Sequence, residues 1–246
     1  MIKTVLVFGY VGFSMIFLFP FGLISMLVHF LGFKKSMARF VYWFARIWAL
    51  SLIKISGCTI TVTGNENIPQ NCGLCFVGNH DSYFDIVLLF AYCRRPIGFI
   101  AKKELLFIPF LNCWVFMIGG LFIDRKNVRK AIQTINNGVQ RIKSGSAMII
   151  FPEGHRSKGR GLLPFHPGSL KLATMSDAPI VPVAIKDSSG VFEKNGRVMS
   201  VPIEVHFLEP IDTSALPSAD KKLVLSDKIY CAIKNKLTPD SANAEY

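Results

Sequence analysis

The stretch 73–92, GLCFVGNHDSYFDIVLLFAY, packs three kinds of local structure into one run, and its reading decides the fold. The apolar run GLCFVG reads as a buried strand that delivers the backbone into a turn at Asn79 and His80, and FDIVLLFAY reads as a helix that begins at once. Ser82 is placed to cap that helix with its hydroxyl, while Asp85, three residues on, can reach back from the first turn toward the turn residues. His80 lies just outside the helix, within reach of that carboxylate. An imidazole takes a proton from an alcohol near neutral pH only when its tautomer and orientation are fixed, and a nearby carboxylate fixes both. A capping box beside an unremarkable loop histidine would produce the same letters, so the motif needs support from the rest of the chain.

Outward from this stretch the texture is one of short β-branched runs separated by turns and helices. Candidate strands are CTITVTG (58–64), GLCFVGN (73–79), IGFIA (97–101), LFID (121–124), AMIIF (147–151), IVPVAIK (180–186) and PIEVHFL (202–208). Between them VRKAIQTINNGVQRIK places Ile132, Ile135, Val139 and Ile142 on one face, and near the end KLVLSDKIYCAIKNKL does the same with Leu225, Ile229, Ala232 and Ile233. Strands alternating with helices predict an α/β fold, a mostly parallel sheet covered by helices on both faces. The expected organisation is an N-terminal membrane-anchoring segment over residues 1–57 and an α/β domain over 58–246.

The 246 residues are 51% hydrophobic and 18% charged, and lysine plus arginine outnumber acidic residues 28 to 16, for a formal charge of +12. Such a balance predicts attraction to a polyanion. Zinc-finger spacing and RNP-like aromatic motifs are missing, which argues against nucleic acid, and the apolar N-terminus favours anionic phospholipid. Residues 4–33 carry no formal charge, with Lys3 before them and Lys34, Lys35 and Arg39 after. A run of about twenty apolar residues suffices to span a bilayer. Pro20 divides this one into two pieces, so a kinked crossing and a hairpin dipping into one leaflet both fit. The next segment, MARFVYWFARIWALSLI (37–53), reads as a helix with Tyr42, Trp43 and Trp48 suited to a membrane interface, or as a core helix. Of the six cysteines, Cys72 and Cys75 spell CxxC without a second pair to complete a zinc site, so buried reduced thiols are expected and no metal.

Three further stretches fall where a parallel sheet presents the carboxyl ends of its strands. GGLFIDR leads into Asp124 and Arg125. FPEGHRSKGR follows AMIIF with a proline turn, Glu153, the permissive Gly154 and then Arg156, Lys158 and Arg160; IVPVAIK carries Pro182 inside an apolar run. A turn rich in glycine and arginine suits a phosphate, because glycine lets backbone N–H groups approach and guanidinium binds oxygens in pairs.

Taken together, NHDSYFD, GGLFIDR, FPEGHRS and IVPVAI resemble, in order and spacing, the four sequence blocks of the HxxxxD glycerolipid acyltransferases, over about residues 59–185. Within that family the N-terminal helical segment and compact length are most similar to the bacterial-type lysophosphatidate acyltransferases. The resemblance implies direct transfer of an acyl group from an acyl thioester, of coenzyme A or of acyl carrier protein, to the sn-2 hydroxyl of lysophosphatidic acid. No further cofactor is implied. His80 would be the base and Asp85 its brace. Lys102, Arg125 and the third-block residues Glu153, Gly154 and Arg156 would hold the acceptor phosphate, the acid by ordering the cations or a glycerol hydroxyl, and Pro182 would shape the acyl or thioester end. Backbone N–H groups at the helix start are candidates for holding an oxyanion. The family also implies a catalytic domain on the cytoplasmic face of the inner or plasma membrane. His155 stands where the family has threonine, and Asn112 where the pattern between Lys102 and Arg125 has glycine. Relatives in the family that acylate glycerol-3-phosphate or another lysolipid share these blocks, and a non-catalytic binder of anionic membranes would share the charge and the apolar N-terminus.

Overall fold

The structure is a computed structural model that describes residues 1–31, 34–166, 168–213 and 221–238. Its helices are α1 (Ile2–Phe17), α2 (Phe19–Phe30), α3 (Lys34–Ser56), α4 (Phe84–Tyr92), α5 (Leu111–Met117), α6 (Val128–Lys143), α7 (Lys171–Ser176) and α8 (Lys221–Leu237). The strands are β1 (Thr59–Thr63), β2 (Leu74–Gly78), β3 (Ile97–Lys102), β4 (Leu121–Ile123), β5 (Ala147–Ile150), β6 (Ile180–Lys186) and β7 (Pro202–Phe207). They form one sheet in the order β1-β7-β6-β2-β5-β3-β4, parallel at every pair except β6 with β7. Each expected strand is present, and the sheet is mostly parallel as expected.

The central strands explain the sheet. Both faces of β2, β5 and β6 are covered, so these strands carry apolar side chains at consecutive positions rather than alternating ones. Their two-residue period then sorts the core. Leu74, Phe76, Ala147, Ile149, Val181 and Val183 pack on one side with α3 and α4, while Cys75, Val77, Met148, Ile150, Ile180 and Ala184 pack on the other with α6, α7 and α8. Val139 and Ile142 of α6 and Leu225, Ile229 and Ile233 of α8 are buried as their spacing requires, whereas Ile132 is exposed, near the start of α6 beside edge strand β4. Cys75 and Cys93 are buried and burial pushes both thiols up, but Cys231 lies on the outer face of α8 and is exposed, so the expectation of uniformly buried thiols is corrected there. Pro182 is not on an edge. It pairs with Val77 across β2, with β7 on its other side, and its carbonyl accepts from Leu208 N (2.9 Å).

Among the described residues no single helix is long and apolar enough to cross a membrane; α1 with Phe19–Ser25 reaches that length and composition as a pair bent by 44°. The bend falls at Leu18–Pro20, where proline cannot donate to the helical ladder. The boundary expected at 57/58 runs through a continuous core. Ala49, Leu52 and Ile53 of α3 pack with the sheet, and Arg46 Nε donates to Ala91 O at the end of α4 (3.1 Å). Of the three aromatic residues expected at an interface, Trp43 is exposed, but Trp48 Nε1 donates inward to Ser14 Oγ of α1 (2.9 Å) and Tyr42 is half-buried. The helix reads both ways because one of its faces, with Trp43 and Ile47, is exposed while Val41, Ala49, Leu52 and Ile53 are buried.

Candidate active site

Strand β2 ends at Gly78, and Asn79 continues its ladder with a side chain instead of a backbone: Oδ1 accepts from Ile185 N and Nδ2 donates to Ile185 O, both at 2.8 Å. The turn that follows is held from three sides. Asp81 accepts from the Ser157 hydroxyl (2.7 Å), Gly159 N (2.6 Å) and Ser189 N (3.0 Å). Burial alone would raise Asp81, but these hydrogen bonds outweigh it and hold its carboxyl below the usual range. Ser157 N donates to His80 O (2.7 Å) and Lys158 N to Asp81 O (3.1 Å), so the third block lies directly along the turn.

Asp85 is fully buried and accepts on both oxygens. Oδ2 takes His80 Nδ1 (2.8 Å), Asp81 N (2.8 Å) and Ser82 N (2.9 Å), and Oδ1 takes the Ser188 hydroxyl. The reach-back expected of Asp85 is therefore made, and Ser82 Oγ caps the helix by accepting from Phe84 N (2.9 Å). A carboxylate that only accepts requires the proton of the neutral ring to sit on His80 Nδ1, which leaves Nε2 with its lone pair. The ring stacks on Phe151 at 4.2 Å and is 18% exposed, so one edge of it can meet a substrate.

The remaining predicted residues divide. Arg125, exposed after β4, donates through Nη1 to Gly154 O, which joins the second and third blocks beside His80. Gly154 has φ of +72°, and a Cβ there would come within 2.8 Å of the His166 ring, so the close approach requires glycine. Lys102 is exposed at the end of β3, and it is the neighbouring Lys103 that pairs with Asp124 (2.8 Å), leaving Arg125 without that partner.

The structure gives the other expected groups contacts of their own. Glu153 is buried and cannot touch a headgroup, because its two oxygens are taken by backbone amides, His80 N at 2.6 Å and Leu163 N at 3.0 Å. It positions the histidine turn. Arg156 lies over the Tyr83 ring at 3.3 Å and pairs through Nη1 with Glu193 at 3.0 Å, so the two arginines have different partners. Pro182 is buried inside the sheet, away from any surface a thioester could reach. The helix-start amides are also occupied, with Tyr83 N on Glu193 Oε1 (2.9 Å), Asp85 N on Ser82 O and the others as above, so an oxyanion must be held elsewhere.

Glu193 and Ser188 escaped the sequence reading. Glu193 joins Arg156, the Ser82 hydroxyl (2.8 Å) and Tyr83 N into one cluster across more than a hundred residues of chain, a relation that no local pattern carries. Ser188 follows the fourth block directly, and its place after the end of β6 was the available clue.

Burial pushes the Glu153 carboxyl up to about 7, against the pull of the amides of His80 and Leu163. The unfolded chain loses this proton near pH 4.5 and the folded chain holds it longer, so stability falls as pH rises from about 4.5 to 7 and the loss is complete above that. Its full size is on the order of 3 kcal/mol. Glu153→Gln, which has no proton to lose, is expected to flatten this part of the stability–pH curve, measured by urea unfolding from pH 5 to 8.

The acyltransferase family model matches residues 59–186. The chain belongs to the acyltransferase family. It is 38% identical over 181 residues to the 1-acyl-sn-glycerol-3-phosphate acyltransferase of Escherichia coli, covering 73% of this chain and 71% of that one. It is 33% identical over 175 residues to the protein of the same name from Borreliella burgdorferi, covering 70% and 69%. The crystal structure of the 1-acyl-sn-glycerophosphate acyltransferase from Thermotoga maritima superposes with a TM-score of 0.80 at 24% identity, over 100% of this chain and 98% of that one, and supports the fold. The family match spans β1 to β6 and so contains all four blocks.

Proposed function

We propose that this acyltransferase moves a fatty acyl group from an acyl thioester to the sn-2 hydroxyl of lysophosphatidic acid, giving phosphatidic acid, at a membrane surface. The observation that carries the reading is the His80–Asp85 pair with Nε2 bare at the site's edge, with Arg125 joined to Gly154, the residue after the Glu153 that accepts from His80 N. Nε2 takes the proton of the acceptor hydroxyl, and the oxygen attacks the thioester carbonyl. The tetrahedral adduct collapses with cleavage of the C–S bond, and the imidazolium returns its proton to the departing thiolate. No covalent acyl-enzyme is formed. Asp85 steadies the imidazolium while it exists. Arg125 offers the acceptor phosphate paired N–H donors.

The test is a panel of acceptors (lysophosphatidic acid, glycerol-3-phosphate, lysophosphatidylcholine and monoacylglycerol) with labelled acyl-coenzyme A and acyl carrier protein. Lysophosphatidic acid is expected to be preferred, and acylation of glycerol-3-phosphate in its place would reassign the enzyme within its family. Arg125→Ala is expected to raise the KM for lysophosphatidic acid about 10- to 100-fold, the value of a charge-assisted contact, with kcat little changed. Initial rates across acceptor concentrations measure it, and an unchanged KM would remove Arg125 from the phosphate site.

A further inference from the structure

We propose that the 3-10 turn Lys103–Phe107 and the residues after it form a second bilayer-inserting element, which seats the mouth of the site on an anionic lipid surface. This rests on the lipid-acylating reading above. At the end of β3 the chain exposes three consecutive large apolar residues, Leu106, Phe107 and Ile108, with Phe107 83% exposed. Apolar side chains presented together at a loop tip have no partner within this fold. The Lys103–Asp124 ion pair ties the base of this turn to the end of β4, one residue before Arg125, and the parallel strands put this turn at the same end of the sheet as the turn that carries His80.

Two observations identify the occupant. The first is charge. Lys102 at the base of the turn, and Lys126, Arg129 and Lys130 in the segment that follows its ion-pair partner Asp124, are all exposed, against a single exposed acid in the turn, Glu104, a balance that suits anionic headgroups around inserted side chains. The second is continuity with the apolar surface of the N-terminal helices. Phe110 packs edge-on against Phe19 of α2 (4.7 Å), and Met117 of α5 lies against Gly22. Phe110 holds φ of +66°, a conformation costly for a bulky residue, and the contact with α2 is what its ring gains there. The turn is thus fixed to α2, whose outward residues Ile24 and Leu27 are themselves exposed. A lysolipid in that bilayer has its headgroup at the level of Arg125 without leaving the membrane.

The experiment uses the full chain. An environment-sensitive fluorophore is placed at Phe107→Cys in a background with Cys58, Cys72, Cys113 and Cys231, the cysteines that are not buried, replaced by serine, with a control label at Glu209→Cys, which follows the antiparallel β7 at the opposite end of the sheet. Vesicles of phosphatidylglycerol and phosphatidylcholine are expected to blue-shift and brighten the label at 107 and leave that at 209 unchanged, with a weaker response to phosphatidylcholine alone. A label at 107 that stays in water while the protein sediments with vesicles overturns the proposal, as does a response to protein concentration without lipid, which would mean a second copy covers the tip. Phe107→Asp is expected to lower kcat/KM about 10-fold for acceptor presented in vesicles, the cost of removing one inserted aromatic, and to leave a short-chain monodisperse acceptor unaffected. An equal loss on both overturns it. If the wild type acylates neither acceptor, the functional reading fails, and the fluorescence still decides whether the tip inserts.

Discussion

His80→Ala lowers kcat/KM for acyl transfer by about 10³-fold or more, within the range that a positioned general base contributes, while the folded chain and its binding to lipid vesicles persist. The reason for so clean a separation is local. The imidazole contributes one hydrogen bond to Asp85 and a stacking contact to Phe151, but the turn that carries it is held by Asn79, Asp81 and Glu153 through bonds that do not involve the ring. Asp85 keeps its other three donors when the ring is removed. Stability is therefore expected to change by only ~1 kcal/mol, the value of one hydrogen bond. Turnover with labelled acyl-coenzyme A, thermal unfolding and vesicle sedimentation on the same preparation check all three. Retained transfer by a folded His80→Ala protein would mean that another group takes the acceptor proton.

The second large effect comes from splitting charge from shape at Asp85. In Asp85→Asn the amide oxygen can stay where Oδ2 accepts from His80, Asp81 and Ser82, and the amide nitrogen falls opposite Ser188, whose hydroxyl can turn to accept. The fold is kept, but the negative charge that stabilises the imidazolium is gone, and kcat is expected to fall about 10²- to 10³-fold. In Asp85→Ala the amides of Asp81 and Ser82 lose their acceptor at a buried position. Each unsatisfied donor costs roughly 1–3 kcal/mol, so this variant is expected to lose several degrees of Tm as well as its activity. Equal loss of stability in the two variants would show that Asp85 matters through its charge to the fold and not through its geometry to the histidine.

The sheet could be read from the sequence because its central strands are buried on both faces and its helices carry one apolar stripe each, features that belong to short segments. The antiparallel turn of β7 has no such local mark, since the direction of a strand depends on the route of the chain before it. The His80–Asp85 pair was readable for the same reason as the strands: five residues separate them, and the helix start fixes their relation. The ion pair of Arg156 could not be read from its turn, because the acid that pairs with it, Glu193, is distant in sequence. Glu153 was misread because an acid in a polar turn looks solvent-facing until the amides of His80 and Leu163 are seen closing over it. Pro182 was expected at the acyl end only because the fourth block resembles the family's, and in the structure it lies in a central strand, paired with Val77.

Everything in the mechanism depends on which nitrogen of His80 is bare. The chain has five histidines, so the measurement is nitrogen NMR of the protein carrying isotopically labelled histidine, with His80→Ala identifying the signal of interest. In the neutral ring the proton is expected on Nδ1, coupled to Asp85, with Nε2 in the unprotonated position, and Asp85→Ala is expected to release that preference. A neutral His80 with its proton on Nε2 would leave the outward nitrogen unable to accept a proton, and would contradict the assignment of His80 as the base.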